Sequence, residues 1–392
     1  MRYLFSSPHS YLDYASGAAI STRSALRALV RQGEQVDVLC GTYFDDPQMN
    51  ERAFFRLLKS IGSPVKVTEL RLKDGAEPCS FRLVEFDDSG INASFLLAED
   101  SFRASSKFFP MKSISNRLFF HFLNKKLDAL RPDVFATYGG DPRLILSAKR
   151  AKANGGASVF LLYNLAYSKR DLFLAFDKVV VPSEFARRYY LDALDVDSVV
   201  VPPLIEEETV VAKERTPQYL TFVNPTVEKG LYWFVGIART LRETRPDIPI
   251  LIVEGRSQWR DLVPRRVRDE LTNVEVMRNV AEPREFYAVT KLLIAPSLVE
   301  ETFGRVVVEA AMNGVPVVAS DRGALAELVA DSSVKLPIPR RFTPTGGKDP
   351  TLEELRPWLD AILALWDDER LSREIVAGLS DGGFPVRASA RR

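Results

Sequence analysis

Glu301 and Glu309 stand eight residues apart in the stretch Ala295-Pro-Ser-Leu-Val-Glu-Glu-Thr-Phe-Gly-Arg-Val-Val-Val-Glu-Ala-Ala-Met-Asn-Gly-Val-Pro-Val-Val-Ala-Ser320. An ionised carboxylate only accepts hydrogen bonds, so each acid suits the donors of a pair of sugar hydroxyls. The elements that must position them read as strand, loop, helix, turn and strand, one right-handed α/β unit. Residues 291–295 have the length of a buried strand. The helix is expected from near Thr302 to Asn313-Gly314, where glycine supplies a left-handed cap, and residues 316–319 start the next strand. Side chains on a helix lean toward its N-terminus, so Glu309 points back to the end where unpaired backbone N–H groups collect. A diphosphate fits that end, on the amides of Phe303 and Gly304. From Phe303 to Glu309 the axial rise is about 9 Å at ~1.5 Å per residue. Ribose then falls within reach of Glu309 and a hexose within reach of Glu301. Such an arrangement suits a nucleotide sugar.

Glu301-x7-Glu309, with Phe303-Gly304 inside it and Gly314-Val-Pro-Val after it, resembles the donor-binding signature of retaining GT-B glycosyltransferases of the glycogen-synthase-like group, family 4. The resemblance implies an α/β protein of GT-B fold, two Rossmann-like doubly wound domains facing a central cleft. It implies transfer of a sugar from a nucleotide-diphosphate sugar to an acceptor hydroxyl on a saccharide, a lipid-linked acceptor or a small molecule. No cofactor is called for, and metal dependence is not expected. By the same resemblance Glu309 holds the ribose and Glu301 the transferred sugar, with Thr302, Phe303 and Gly304 between them. Lys229-Gly230 matches the family's Lys-Gly at a helix start, where a cation is disfavoured by the dipole unless an anion is nearby. Asn224 stands where the family has Arg; it donates a hydrogen bond but carries no charge, which either weakens the grip on the diphosphate or leaves Arg256 or Arg305 to supply the missing cation. Val280, with Arg278 and Asn279, falls where relatives hold the base, and Gly17 where a glycine-containing loop faces the donor. Gly17 reads equally well as a helix cap.

Candidates for the chemical step are fewer. Retaining transfer in this fold is thought to proceed on one face with the diphosphate leaving group assisting. Family members often carry a histidine in the first domain, but the matching position holds Asn164. Of the two histidines, His9 follows the first strand and is assigned near the sugar, while His121 sits in a Phe-rich helical segment. The catalytic set is therefore Glu301, His9 and Lys229, with Asp13 and Asp141 behind them. Asp195-Val-Asp197 has the Asp-x-Asp pattern of metal-binding transferases but lies far from the donor signature, and chance explains it better. Two alternatives stay open: a nucleotide-sugar-binding protein without transfer activity, and a nucleotide-sugar epimerase. The donor is expected to be UDP-, GDP- or dTDP-linked; base, sugar and acceptor are not encoded in any motif.

Composition narrows the class. A chain of 392 residues is long for one core, which favours two domains. Lys+Arg 53 against Asp+Glu 52 argues against wholesale nucleic-acid binding. Hydrophobic content of 46% with 27% charged residues is that of a soluble globular protein. Cys40 and Cys79, without metal-ligand spacing, fit reduced core thiols of a cytoplasmic protein. The first residues are too poor in apolar side chains for a signal peptide, and no run approaches a membrane span.

Along the chain, residues 3–7 read as strand one, 8–16 as a loop, and Gly17 opens a helix to Gln32 with Ala18, Thr22, Ala25, Leu26, Leu29 and Val30 inward. No Gly-x-Gly-x-x-Gly occurs there, against a dinucleotide dehydrogenase. Residues 81–86 and 91–96 flank Asp87-Asp-Ser-Gly90 as a hairpin, taken as a decoration of the first domain. Residues 101–127 hold Arg103, Lys107, Lys112, Arg117, Lys125 and Lys126, no acid, and six phenylalanines. That composition fits either a core-packed helix over 118–130 with a basic rim, the better reading, or a peripheral contact with an anionic membrane at its inner face. Domain limits are set at 1–203, a Pro-bounded polar linker at 204–216, a second domain at 217–380 and a flexible Gly- and Arg-rich tail at 381–392.

Overall fold

Successive residues of a strand point to opposite faces, and the first strand shows it: Leu4 is buried in one core and Phe5 in another. The computed structural model describes residues 1–74, 77–102, 113–328, 334–346 and 349–381. Cα packing divides the chain into two units, Met1–Leu204 and Ile205–Arg392.

In the first unit β1 (Arg2–His9), β2 (Gln35–Tyr43), β3 (Lys66–Asp74), β4 (Glu77–Asp88), β5 (Ile91–Leu97), β6 (Val134–Thr137), β7 (Ala157–Leu161), β8 (Lys178–Val181) and β9 (Val199–Val200) form one sheet in the order β3-β4-β5-β2-β1-β6-β7-β8-β9. From β5 to β9 all neighbours run parallel, Phe5 lying opposite Val38 and Ala136. Helices cover both faces, and β1 and β2 are buried along most of their length. Gly17–Arg31 and Glu51–Ile61 bury Leu26, Phe54 and Leu58 on one side. Ile114–Leu130 and Arg143–Ala153 bury Leu118, Phe119, Phe120, Leu123 and Leu144 on the other.

Two expectations change here. The hairpin is no decoration: β5 pairs with β2 along 36–40, so β4 and β5 extend the sheet itself. Asp88, at its turn, is fully buried and takes bonds from Arg23, Arg27 and the Tyr11 hydroxyl, which fasten the hairpin to the first helix. That helix turns Ala19, Ser21, Thr22, Ser24 and Leu26 inward, a face of small and hydroxyl residues that lets it sit close to the sheet. The Phe-rich segment is core from Leu118 to Leu127, as the packed-helix reading had it; residues 103–112 lie outside the described residues.

The second unit has β10 (Tyr219–Val223), β11 (Ile250–Val253), β12 (Val274–Met277), β13 (Thr290–Ala295), β14 (Val317–Ser320) and β15 (Lys335–Leu336), all parallel, in the order β12-β11-β10-β13-β14-β15. Their apolar runs join Leu231, Phe234, Ala238 and Leu241 of the helix Leu231–Thr244 and Trp358 and Ile362 of Leu352–Asp367 in one core. The stretch read as a linker packs on this unit from Ile205 on. Glu207–Val210 is a short helix with Val210 in the core, and Arg215 donates to the carbonyls of Tyr287, Thr290 and Asn313. Its guanidinium bonds the Asn313 carbonyl at the C-terminal end of the helix Arg305–Met312, where a cation complements the dipole. The tail from residue 382 lies outside the described residues, as do the surroundings of Cys79; Cys40 is buried. Among the described residues no helix is long and apolar enough to cross a membrane.

Candidate active site

The helix carrying Glu309 runs Arg305–Met312, so it starts three residues later than Thr302. Its N-cap is Gly304, at φ +87°, where a Cβ would lie 2.5 Å from Leu325 Cδ2. The residues before it are drawn sideways: Glu301 bridges Gly323, and the Ala324 N–H donates to the Glu301 carbonyl at 2.8 Å. The first-turn amides are therefore those of Arg305 and Val306, rather than Phe303 and Gly304, and Phe303 is buried. Arg305 and Glu309 are one turn apart, with Nη2 3.1 Å from Oε1. Glu309 is buried, and the Tyr287 hydroxyl lies 3.3 Å from its other oxygen. Burial raises its carboxyl above the ordinary value, with Arg305 and Tyr287 working against that rise.

Glu301 sits at the mouth of the same turn. Its Oε1 accepts from Lys229 Nζ at 2.5 Å and from Ser297 Oγ at 2.7 Å. Burial pushes its carboxyl up, but Lys229, Ser297 and the nearby Arg256 outweigh it, and the group titrates below its usual range. Lys229 is held there by Gly230, the left-handed N-cap of Leu231–Thr244, where any Cβ would meet the Pro296 carbonyl oxygen at 1.9 Å. Asn224 follows β10 at φ +60°, and its Oδ1 accepts from the Arg256 amide at 3.0 Å. Only its Nδ2 is left to donate to a ligand. Val280 packs against the core, and beside it Asn279 Nδ2 is a buried donor with no partner among the described residues.

The structure thus gathers Lys229, Glu301, Asn224 and Arg256 in one cluster and Arg305 and Glu309 in a second on the adjoining turn. Ser297 and Tyr287 escaped sequence reasoning. Ser297 closes the Ala-Pro-Ser run after β13, and Tyr287 precedes that strand by three residues; neither position advertises a carboxylate partner.

His9, Asp13, Gly17, Asp141 and Asn164 belong to the first unit. His9 does not follow β1 but ends it, opposite Tyr43, with ring centroids 6.0 Å from Tyr43 and 6.2 Å from Tyr138. Asp13 is 3% exposed and accepts from the amides of Asp45 and Ala15. Burial first, then the neighbouring Asp45, push its carboxyl up to about 7. Asp141 is committed to Arg143, and Asn164 to its own turn through the Ala166 amide. Gly17 is the first residue of its helix, after Ser16. Asp195 caps a helix in the left-handed region and pairs with Arg170. Among the described residues no three His, Cys, Asp or Glu side chains gather as a metal site.

Residues 217–344 match the family model described as glycosyl transferases group 1. Lipopolysaccharide 1,2-N-acetylglucosaminetransferase of Salmonella typhimurium is 26% identical over 39% of this chain, and the match spans 46% of that protein's length. Over 97% of the chain the structure is similar to TarM of S. aureus, in complex with Fondaparinux, alpha-GlcNAc-glycerol and UDP (TM-score 0.65, 12% identity, 96% of that chain). It is similar over the same share to Anabaena Alr3699/HepE in complex with UDP and glucose (TM-score 0.62, 14% identity, 95% of that chain). The catalytic domain of starch synthase IV from Arabidopsis thaliana, bound to ADP and acarbose, is similar over 96% of this chain and 94% of its own (TM-score 0.62, 12% identity). The chain has the GT-B fold, and its residues 217–344 match the group 1 glycosyltransferase model.

Proposed function

We propose that this protein is a retaining glycosyltransferase of the glycogen-synthase-like family 4, moving a sugar from a nucleotide-diphosphate sugar to an acceptor hydroxyl without a metal. The observation that carries the reading is the pair of glutamates at one helix start, Glu301 half-buried before it and Glu309 buried within the helix, each already facing a cation. Glu309 takes the ribose diol, Glu301 takes hydroxyls of the transferred sugar, and the diphosphate lies on the Arg305 and Val306 amides. Lys229 stands 2.5 Å from Glu301 and serves the β-phosphate from that position. Arg305 and Arg256 provide the charge that Asn224 does not. Asn279 Nδ2 suits a carbonyl oxygen on the base. In the transfer, the bond from the anomeric carbon to the phosphate oxygen breaks as the acceptor oxygen bonds the same face. The acceptor proton passes to the departing phosphate oxygen, and Lys229 and the helix amides hold the charge that develops there. His9, between two tyrosine rings, is assigned to the sugar-facing side of the first unit. Similar structures hold UDP or ADP, which supports the donor class.

Incubation with UDP-, GDP-, ADP- and dTDP-sugars tests this directly. One of them should release free nucleotide slowly, with the anomeric configuration kept in any glycoside formed. Replacing Glu301 and Glu309 together by Gln should abolish turnover. Lys229→Ala should weaken the diphosphate about 10–100-fold, the worth of a charge-assisted hydrogen bond, while leaving the nucleoside within about twofold. Binding without any turnover across the panel would reduce the protein to a nucleotide-sugar binder. A double Gln variant with full activity would end the proposal altogether.

A further inference from the structure

Glu309 cannot work as a ribose ligand merely by being near the helix start; its carboxylate has to face a particular way. A carboxylate has about four lone-pair sites, two on each oxygen. In this structure the protein engages each oxygen separately: Arg305 Nη2 lies 3.1 Å from Oε1, and the Tyr287 hydroxyl lies 3.3 Å from Oε2. Two contacts on different oxygens fix the carboxylate plane, whereas one contact leaves it free to pivot. Tyr287 is itself immobile. It is fully buried on the short helix Arg284–Tyr287, its ring centroid is 4.3 Å from that of Phe286, and its carbonyl accepts from Arg215. Its single hydroxyl proton is shared between Glu309 and the Val306 carbonyl, 3.0 Å away in the first turn of the same helix.

We propose that Tyr287 is a positioning residue for Glu309: with Arg305 it clamps the carboxylate, one oxygen each, and aims the two remaining lone pairs at the vicinal 2′,3′-diol of the donor ribose. The inference rests on the reading of Glu309 as the ribose ligand and adds how that ligand is oriented. It assigns ribose recognition to a residue 22 positions away in sequence, on a different helix. The competing role for the hydroxyl is to tie its short helix to Val306, which would affect folding and every ligand alike.

Calorimetry separates the two. UDP, GDP and ADP and their 2′,3′-dideoxy counterparts are titrated into wild type, Tyr287→Phe and Glu309→Gln. Wild type should prefer the ribonucleotide about 10–100-fold, and Glu309→Gln should lose most of that ratio. Tyr287→Phe should also collapse the ratio, to within about threefold of unity, with dideoxynucleotide affinity changed less than about twofold. If Tyr287→Phe weakens both nucleotides equally, or keeps the wild-type ratio while Glu309→Gln loses it, the positioning role is wrong and the ribose reading stands. A ratio untouched in both variants, or failure of all three nucleotides to bind, removes the ribose reading and this inference with it. Should Tyr287→Phe not fold, Arg305→Met serves the same measurement, because loss of the other half of the clamp must lower the ratio too.

Discussion

The two units differ in what their shielded acids are paired with. In the second, Glu301 and Glu309 are each met by a cation, Lys229 and Arg305. In the first, Asp88 is sealed by two arginines and a tyrosine, whereas Asp13 has only backbone amides and two more acids around it. Burial raises a carboxyl everywhere; the partner decides the outcome. Asp88 and Glu301 end below the ordinary range, Glu309 above it, and Asp13 near neutrality. A spent acid holds structure, while an acid with lone pairs left over can bind.

The largest effect should come from the most completely spent acid. Asp88 accepts from Arg23 at 2.8 and 2.9 Å, from Arg27 at 2.8 Å and from Tyr11 at 3.1 Å, all with zero exposure of its own. Asp88→Ala leaves two guanidinium groups half-buried against a tyrosine, a loss of about 3–5 kcal/mol in chemical unfolding followed on the first unit. A change below about 1 kcal/mol would erase the distinction between structural and binding carboxylates drawn above.

Asp13 gives a pH signature of definite sign. Its folded carboxyl titrates near 7 against an ordinary 3.8, so between those values the folded chain keeps a proton that the unfolded chain has released. Stability contributed by this group therefore falls as pH rises through that window, at about 1.4 kcal/mol per unit, and is level above it. Asp13→Asn cannot ionise; it forgoes one amide bond at a roughly constant cost of about 1 kcal/mol. Relative to wild type, the variant should gain steadily from about pH 4 to about pH 7 and no further. Parallel stability curves for the two proteins would mean that Asp13 is ionised throughout.

How much of this was readable from sequence follows the range of the interactions. The helix stop at Asn313-Gly314 and the strand before Glu301 depend on local backbone preference, and residue types alone expose them, whereas the need for glycine at 230 comes from the Pro296 carbonyl packed against it. The helix start depends on Gly323, Leu325 and the bridge to Glu301, contacts from a later loop, so Thr302 looked like a beginning when Arg305 is one. Polar, Pro-bounded composition suggested a linker; that Arg215 within it reaches the end of a helix some 98 residues on is a contact that composition does not show. A hairpin is visible from Asp87-Asp-Ser-Gly90; its membership of the sheet is not, because register between β5 and β2 is set by packing. The pairing of Glu309 with Arg305 was open to a simple i,i+4 count, whereas that with Tyr287 required the fold.

Glu300 and Glu301 offer the smallest effect and the sharpest control, since they are chain neighbours of identical type. Glu300 pairs with Arg340 at 2.7 Å, a bond as short as those at the buried acids. The Arg340 side chain is 70% exposed, however, and Glu300 is 32% exposed, so water and salt screen the pair and two long side chains lose freedom to form it. Arg340→Ala should change stability by no more than about 1 kcal/mol, and the difference should shrink further in high salt, where surface pairs are screened within ~3 Å at 1 M. Equal losses from Arg340→Ala and Asp88→Ala would show that donor–acceptor distance, and not burial, sets the worth of an acid's ion pair in this protein.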